Sequence, residues 1–462
     1  MQPMGITPSL RFVAVAAVVV AWAGVVAGWQ APQPAARRPN ILLIIADDLG
    51  YGDLGVYGAA DTRTPILDRL AREGTRFTDF YANAPVCTPT RAGLITGRYQ
   101  QRVMLERPLS TVGPTTEATL PVTGRSLPQL LADAGYVTGL VGKWHLGFKP
   151  EAGPRAHGFG YFWGYLSGYL DWWTHVRGDG EPDLWENESP VTATGYFHHE
   201  TTRHAIRFIE EHKAEPFFLD LAYGAPHWPF QSPTTRSVAK RADNSMMQHP
   251  SDDNAPTRAE YVTIMEDFDR GIGKVLDAVK AMGLEQNTLV VFMSDNGGEW
   301  LSRNDPFFHR KDTVWEGGIR VPAIVRWPGV VPAGKVTPQV AITMDLTATF
   351  LGIAGASRPD LRLEGIDLLP VLTQGQTSDR TLFWRVYRPP DARQRAVRQG
   401  DYKFIEDGGL RMLFNVRADP GERHDLAARE PARVKTMREL VIAWEKDVDA
   451  EAEALKTGSA KP

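Results

Sequence analysis

The stretch Asn40-Ile41-Leu42-Leu43-Ile44-Ile45-Ala46-Asp47-Asp48 decides the fold class. Residues 41–45 are a short, unbroken apolar run, the pattern of a strand buried on both faces. The run breaks off into two carboxylates. The same design recurs downstream, where residues 137–141, 217–222 and 289–293 read as apolar strands. Helices fall between them. Thr64-Pro65 opens one, with Ile66, Leu67 and Leu70 on its apolar face and Gly74 as its stop. Ser126 caps another that Gly135 ends, and residues 201–212 and 258–282 are two more. Strands alternating with helices predict an α/β fold with a large, mostly parallel sheet covered on both sides.

The rest of the composition narrows the class. With 43% hydrophobic and 23% charged residues, the 462-residue chain has the balance of a globular protein and ample apolar surface for a core. A net charge of −4 gives no basic face for nucleic acid. A single cysteine excludes an intramolecular disulfide. Arg11 precedes an uncharged apolar run, residues 12–28, that is short for a membrane span and ends in Val26-Ala27-Gly28. It reads as a secretory signal peptide over 1–28, followed by a Pro- and Ala-rich spacer over 29–39. The mature protein is therefore expected to be secreted or periplasmic, with no membrane segment. A catalytic domain is expected over 40–370. Beyond it the composition shifts, and residues 371–462 read as a small α+β subdomain. Its expected elements are strands at 381–386 and 402–405, a turn at 418–422 and a helix over 430–449.

Each apolar strand runs into polar residues: Asp47-Asp48, then Gly142-Lys143-Trp144-His145-Leu146-Gly147, then Gly224-Ala225-Pro226-His227-Trp228, then Asp295-Asn296-Gly297-Gly298. In an open parallel sheet, ligands bind outside the carboxyl ends of the strands, so parallel strands would turn all four groups toward one cleft. Asp47, Asp48, Asp295 and Asn296 offer oxygen ligands only. That set suits a hard cation, and Ca²⁺ tolerates looser geometry than Mg²⁺. Pro89 and the run 90–96, stopped by Gly97, place Cys87 just before a helix, with Arg91 one turn along it. The positive end of the helix and the guanidinium favour an anion there. The cysteine is then a thiolate nucleophile or a residue awaiting modification.

These segments resemble, in order, the motifs of type I (formylglycine-dependent) sulfatases of the arylsulfatase A/B kind, within the alkaline phosphatase superfamily. Cys87-Thr88-Pro89-Thr90-Arg91 is similar to the Cys-x-Pro-x-Arg motif whose cysteine is oxidised to formylglycine. The segment 47–53 looks like the first metal loop, 142–147 the second signature and 294–297 the second metal loop. Lys311 with Trp315-Glu316-Gly317-Gly318 looks like the late lysine motif, and 413–422 resembles the C-terminal subdomain. The resemblance implies an alkaline-phosphatase-like sandwich and bound Ca²⁺. It implies Asp47, Asp48, Asp295, Asn296 and modified Cys87 as metal ligands, and Arg91, Lys143, His145, His227 and Lys311 as the remaining pocket residues. It also implies a formylglycine-generating maturation enzyme as a partner, and a sulfated carbohydrate or aryl sulfate as substrate.

The chemistry of a sulfate monoester fits these residue types. Cations screen the ester's charge, a hydrated aldehyde attacks sulfur with Asp295 as base, His227 assisted by Lys311 protonates the leaving alcohol, and His145 takes the proton that releases sulfate. Aromatic residues crowd 161–175, including Trp163, Tyr165, Tyr169, Trp172 and Trp173, and Trp228 and Trp300 adjoin site motifs. They form either a wall for sugar rings or a core cluster. Resemblance of the 164–175 segment to arylsulfatase B-like enzymes implies a sulfated amino sugar. The closest rival is a phosphomonoester or phosphonate-ester hydrolase of the same superfamily, against which Asn296 speaks, because those relatives commonly place a histidine there. A non-catalytic binding protein and a plain cysteine hydrolase are the other rivals. Asn187-Glu188-Ser189 is a glycosylation sequon followed by Pro190 and reads as incidental.

Overall fold

The strand Asn40–Asp47 is buried at all eight positions because it lies at the middle of the main sheet. The computed structural model describes Met1 and residues 38–234, 255–386 and 393–457; the expected signal peptide and nearly all of the spacer lie outside them. Asn40–Asp47 pairs in parallel with Phe217–Pro226 on one side and Thr288–Ser294 on the other. Val137–Lys143 and then Tyr161–Tyr165 continue the parallel array. Shorter strands, partly antiparallel, complete a ten-stranded sheet. The α/β expectation holds, with one addition. Tyr161–Tyr165, rich in aromatics, is itself a core strand. It runs so close to its neighbour that a Cβ on Gly164 would lie 1.8 Å from the Gly142 carbonyl oxygen, and only glycine fits.

Alternate side chains of the central strand feed two cores. Leu42, Ile44 and Ala46 pack with the helices Pro65–Arg72, Phe197–His212 and Arg258–Ala281. Ile41, Leu43 and Ile45 pack with Cys87–Thr96, Leu127–Asp133 and Met344–Ala354. Each such aliphatic side chain contributes roughly 1.5–3 kcal/mol on burial. The longest of these helices starts in a capping box, in which the Thr257 hydroxyl accepts from the Glu260 N–H and the Glu260 carboxylate accepts from the Thr257 N–H. Ser126 occupies the N-cap position of Leu127–Asp133, as expected, but its hydroxyl donates to the His157 carbonyl at 2.6 Å rather than accepting from a helix N–H.

The C-terminal segment forms a four-stranded antiparallel meander, Thr381–Val386, Gln394–Gln399, Tyr402–Asp407 and Leu410–Asn415, packed on the helix Pro431–Lys456. Two of these strands, Gln394–Gln399 and Leu410–Asn415, were not among the expected ones; charged residues such as Arg395, Arg398 and Arg411 interrupt their apolar pattern. Asn187 sits at φ 57° in the turn between Trp185–Glu186 and Ser189–Pro190, and its side-chain oxygen accepts from the Phe162 N–H at 3.2 Å. No helix among the described residues is long and apolar enough to cross a membrane.

Candidate active site

The parallel strands deliver their polar ends to one place. Register pairs Ala46 with Ser294 and Asp47 with Pro226, so Asp47, Asp48, Asp295, Asn296 and His227 emerge side by side. The next strand over ends in Lys143, whose ammonium donates to Asp47 Oδ2 at 2.6 Å with both side chains fully buried. From the opposite side Lys311 donates to Asp48 Oδ2 at 2.6 Å. Arg91 donates through two nitrogens to Asp295 Oδ2, at 3.1 and 2.9 Å, and through a third to the Lys143 carbonyl.

Cys87 is the first residue of the helix Cys87–Thr96, one position further in than the sequence pattern suggested. Its Sγ lies 3.3 Å from Asp47 Oδ1 and 3.9 Å from Asp48 Oδ1. Burial, followed by the charge of Asp47, pushes the thiol pKa well up. Of the two readings of Cys87, this disfavours the plain thiolate nucleophile, because burial and the charge of Asp47 favour the protonated thiol. Ligand atoms of Asp47, Asp48, Cys87 and His227 all lie within 4.8 Å of one another.

Asn296 carries the sharpest geometric signal. Its amide nitrogen donates to Asp48 Oδ1 at 2.7 Å and to the Gly297 carbonyl, and these bonds fix which end is nitrogen. Its oxygen is buried and has no partner. A buried, partnerless amide oxygen on a residue bonded to Asp48 suits an oxygen-seeking cation, and Lys143, Lys311 and Arg91 pair with Asp47, Asp48 and Asp295 and hold them in place. Burial opposes ionisation of Asp48, yet Lys311, His227 and Lys143 together outweigh it and lower its pKa. Asp295 moves the other way, to about 6, through burial and the charge of Asp47.

The two histidines are positioned by backbone carbonyls. His145 Nε2 bonds the Leu109 carbonyl at 2.9 Å, which places the proton of the neutral ring on Nε2 and the lone pair on Nδ1, an atom with no partner. Burial and then Lys143 lower its pKa well below the ordinary histidine value, so it is a neutral base. Gly168 packs so closely that a Cβ there would lie 2.8 Å from the imidazole. His227 Nδ1 bonds the Trp228 carbonyl, and its Nε2 lies 3.4 Å from Asp48 Oδ2; burial takes its pKa to about 3.

Sequence reasoning missed several supports of this arrangement. The Thr88 hydroxyl donates to the His145 carbonyl at 2.9 Å and accepts from the Leu109 N–H at 3.1 Å, so the residue next to Cys87 ties the histidine to the carbonyl that orients it. Asp183 accepts from the N–H groups of Leu166 and Ser167 and so holds the loop that reaches Gly168. Glu299, beside the second metal motif, faces the same cavity. Only Thr88 lay inside a motif; the others come from loops with no local signature. Of the aromatic segment, Trp163, Tyr165 and Trp172 belong to the core, whereas Tyr169 and Trp228 line a cavity of about 580 Å³ that opens onto Cys87, His145, His227 and Lys311.

Comparison with known proteins agrees with this geometry. Residues 39–356 match the family described as Sulfatase, and residues 305–446 match N-sulphoglucosamine sulphohydrolase, C-terminal. The chain is 36% identical to dog N-acetylgalactosamine-6-sulfatase over 81% of its own length and 72% of the relative's. It is 32% identical to human arylsulfatase A over 88% of each. Among solved structures, Ps i-CgsB superposes with a TM-score of 0.78 at 33% identity, covering 87% of this chain and 92% of that one, and has also been solved in complex with k-i-k-neocarrahexaose.

Proposed function

Because the chain belongs to the sulfatase family and is a sulfuric ester hydrolase, we propose that it removes sulfate from a sulfated carbohydrate, using formylglycine made from Cys87 and one bound Ca²⁺. The observation that carries the mechanism is the partnerless oxygen of Asn296, whose nitrogen donates to Asp48, together with Asp47 and Asp48 beside Cys87. The relatives that act on sulfated sugars and the Tyr169–Trp228 wall of the cavity support the substrate class. A formylglycine-generating enzyme is then required as a partner before the chain is active. The apolar run 12–28 supports export to the periplasm or the exterior.

Asp47, Asp48, Asp295 and Asn296 would hold the cation, with the modified Cys87 as a further ligand. When bound, the cation supplies positive charge against the sulfuryl group, and hydrated formylglycine supplies one hydroxyl to attack sulfur and a second whose deprotonation releases sulfate. The protein's own groups divide the remaining work. Lys143, Arg91 and Lys311 add fixed positive charge around the anion at no reorganisation cost. Asp295, its pKa raised by burial to about 6, takes the proton of the attacking hydroxyl. Lys311 stays charged, since Asp48 outweighs its burial and raises its pKa. A bound sulfate ester also favours protonation of His227, so these two groups protonate the departing alcohol oxygen. His145, with its lone pair on Nδ1, accepts the proton whose loss expels sulfate.

Two measurements test this reading. Protein from a host that makes the maturation enzyme should show the Cys87 peptide lighter by about 18 Da than the unmodified sequence. That protein, given calcium, should cleave an aryl sulfate far faster than the matching aryl phosphate. An unshifted peptide in fully active enzyme would remove the nucleophile, and a strong phosphate preference would transfer the chain to the phosphomonoesterase branch.

A further inference from the structure

His145 stands in the left-handed region at φ 59°, a conformation that a residue with a side chain keeps only where its surroundings hold it. Three other segments do so. Its N–H donates to the Leu166 carbonyl at 3.2 Å. Its carbonyl accepts from the Thr88 hydroxyl at 2.9 Å, and its Nε2 meets the Leu109 carbonyl at 2.9 Å. The buried Thr88 oxygen also accepts from the Leu109 N–H at 3.1 Å. The contacts close a ring: from Thr88 to the His145 carbonyl, along the His145 side chain to the Leu109 carbonyl, and from the Leu109 N–H back to Thr88. Leu109 lies in a stretch, 104–126, with no helix or strand, so side-chain bonds of this kind set where its carbonyl stands. Thr88 follows Cys87 directly in the first turn of Cys87–Thr96. One peptide link and one hydroxyl therefore tie the histidine to the residue that supplies the nucleophile.

We propose that Thr88 is a positioning residue for sulfate release: it holds the Leu109 carbonyl on Nε2 and so keeps the lone pair of His145 on Nδ1, the atom that accepts the proton in that step. It acts through His145 rather than on the substrate. This rests on the sulfatase reading above and assigns a support to one step of it. Which ring nitrogen of a neutral histidine carries the proton is set by the partner of the other, so loosening Leu109 frees the ring to take the wrong tautomer. The attack on sulfur does not pass through this ring of bonds, so the two halves of the reaction respond differently to its loss.

The test uses Thr88→Val, which keeps the branched shape and can make neither hydrogen bond. The first readout needs no turnover. By nitrogen NMR of histidine-labelled protein with Cys87 unmodified, wild-type His145 should show the Nε2–H tautomer alone and Thr88→Val a mixture of both, the signal being the one missing in His145→Gln. The second readout uses calcium-loaded enzyme and counts rates per chain with modified Cys87. On 4-nitrophenyl sulfate, Thr88→Val should lose roughly 10–100-fold in kcat while kcat/KM stays within about threefold, because KM falls with kcat when only the later step is slowed. Release of 4-nitrophenol should then show a burst, and Thr88→Ser should restore the wild-type values. A single wild-type tautomer in Thr88→Val, an unchanged kcat, a loss in kcat/KM as large as that in kcat, or no rescue by serine each overturns the proposal. If Thr88→Val does not fold, the wild type decides: its Leu109 N–H should exchange slowly with solvent, and exchange at the rate of an unprotected amide overturns the proposal. A modified wild type that fails to cleave 4-nitrophenyl sulfate overturns the parent reading instead.

Discussion

Two clusters of buried charge, built from the same ingredients, do opposite jobs. In the candidate active site, Asp47, Asp48 and Asp295 face Lys143, Lys311 and Arg91. Beneath the C-terminal sheet, Glu316, Glu422 and Asp79 face Lys403, Arg320 and Arg398. Each holds three carboxylates and three cations. In the second cluster the charges close on one another. Lys403 lies 2.8 Å from Glu316 and 2.9 Å from Glu422, Glu422 accepts the Glu316 N–H at 2.7 Å, and the Tyr81 hydroxyl donates to Glu316 at 2.6 Å. In the first cluster Asn296 Oδ1 and His145 Nδ1 are left without partners, and Cys87, His145 and Lys311 line an open cavity. Balanced charge makes a buried cluster tolerable; opening onto a cavity lets such a cluster meet a ligand.

The comparison can be broken first at Cys87. Cys87→Ala should reduce sulfate-ester turnover by at least about 10³-fold while moving the melting temperature little, since the side chain is small and the charge pairs stay intact. Residual turnover within tenfold of wild type would mean that the centre works without its nucleophile. The converse test is Lys403→Met, which leaves Glu316 and Glu422 buried without their shared cation. Removing one partner of a buried pair costs roughly 3–5 kcal/mol, so denaturant unfolding should shift by that order while kcat of the folded fraction stays near wild type. Loss of kcat with unchanged stability would show the two clusters to be one functional unit.

Asn296→Ala sharpens the contrast at lower cost. Apparent calcium affinity, read by titrating calcium into chelator-treated enzyme, should weaken by about 10–100-fold, a range typical of perturbing a metal centre's supports. The smallest effect is one of pH. Burial, followed by opposing and assisting charges, sets the Glu422 pKa at about 7, above the ordinary value of 4.5. A group whose folded pKa is raised contributes its full stability below the unfolded value and loses it as pH rises through the folded one. Stability of the wild type should therefore decline relative to Glu422→Gln between about pH 5 and pH 7, by no more than ~1.4 kcal/mol per pH unit, the slope of one proton. Parallel stability curves for the two proteins would place the titration elsewhere. Glu316 acts in another range: burial opposes its ionisation, but Lys403 and Arg320 outweigh that and take its pKa to about 2.

Much of the catalytic centre was legible because its chemistry is local to the chain. Asp47-Asp48, Lys143 to His145, His227 and Asp295-Asn296 each follow directly on an apolar run, so identifying the runs as parallel strands also brings their ends together. The late lysine motif and the 413–422 segment were legible only as separate signatures. Folding brings Glu316 of one onto Glu422 of the other, across Lys403 from a strand between them. The strand Tyr161–Tyr165 escaped detection because bulky aromatics and a glycine hide its alternation, and Gln394–Gln399 because its arginines find carboxylates inside the fold.

The sequence by itself determined the α/β class, the buried central strand, the order of the motifs and the kinds of group that meet at the strand ends. Apolar runs and oxygen-rich turns act through neighbours a few residues away, and their consequences are therefore written locally. The tertiary structure alone decided that Leu109 orients His145 and that Thr88 ties the two together. It also decided which aromatics line the cavity and that Glu299 lines it with them. Those assignments depend on where distant loops come to rest, which is set by the packing of the whole core rather than by any run of residues within them.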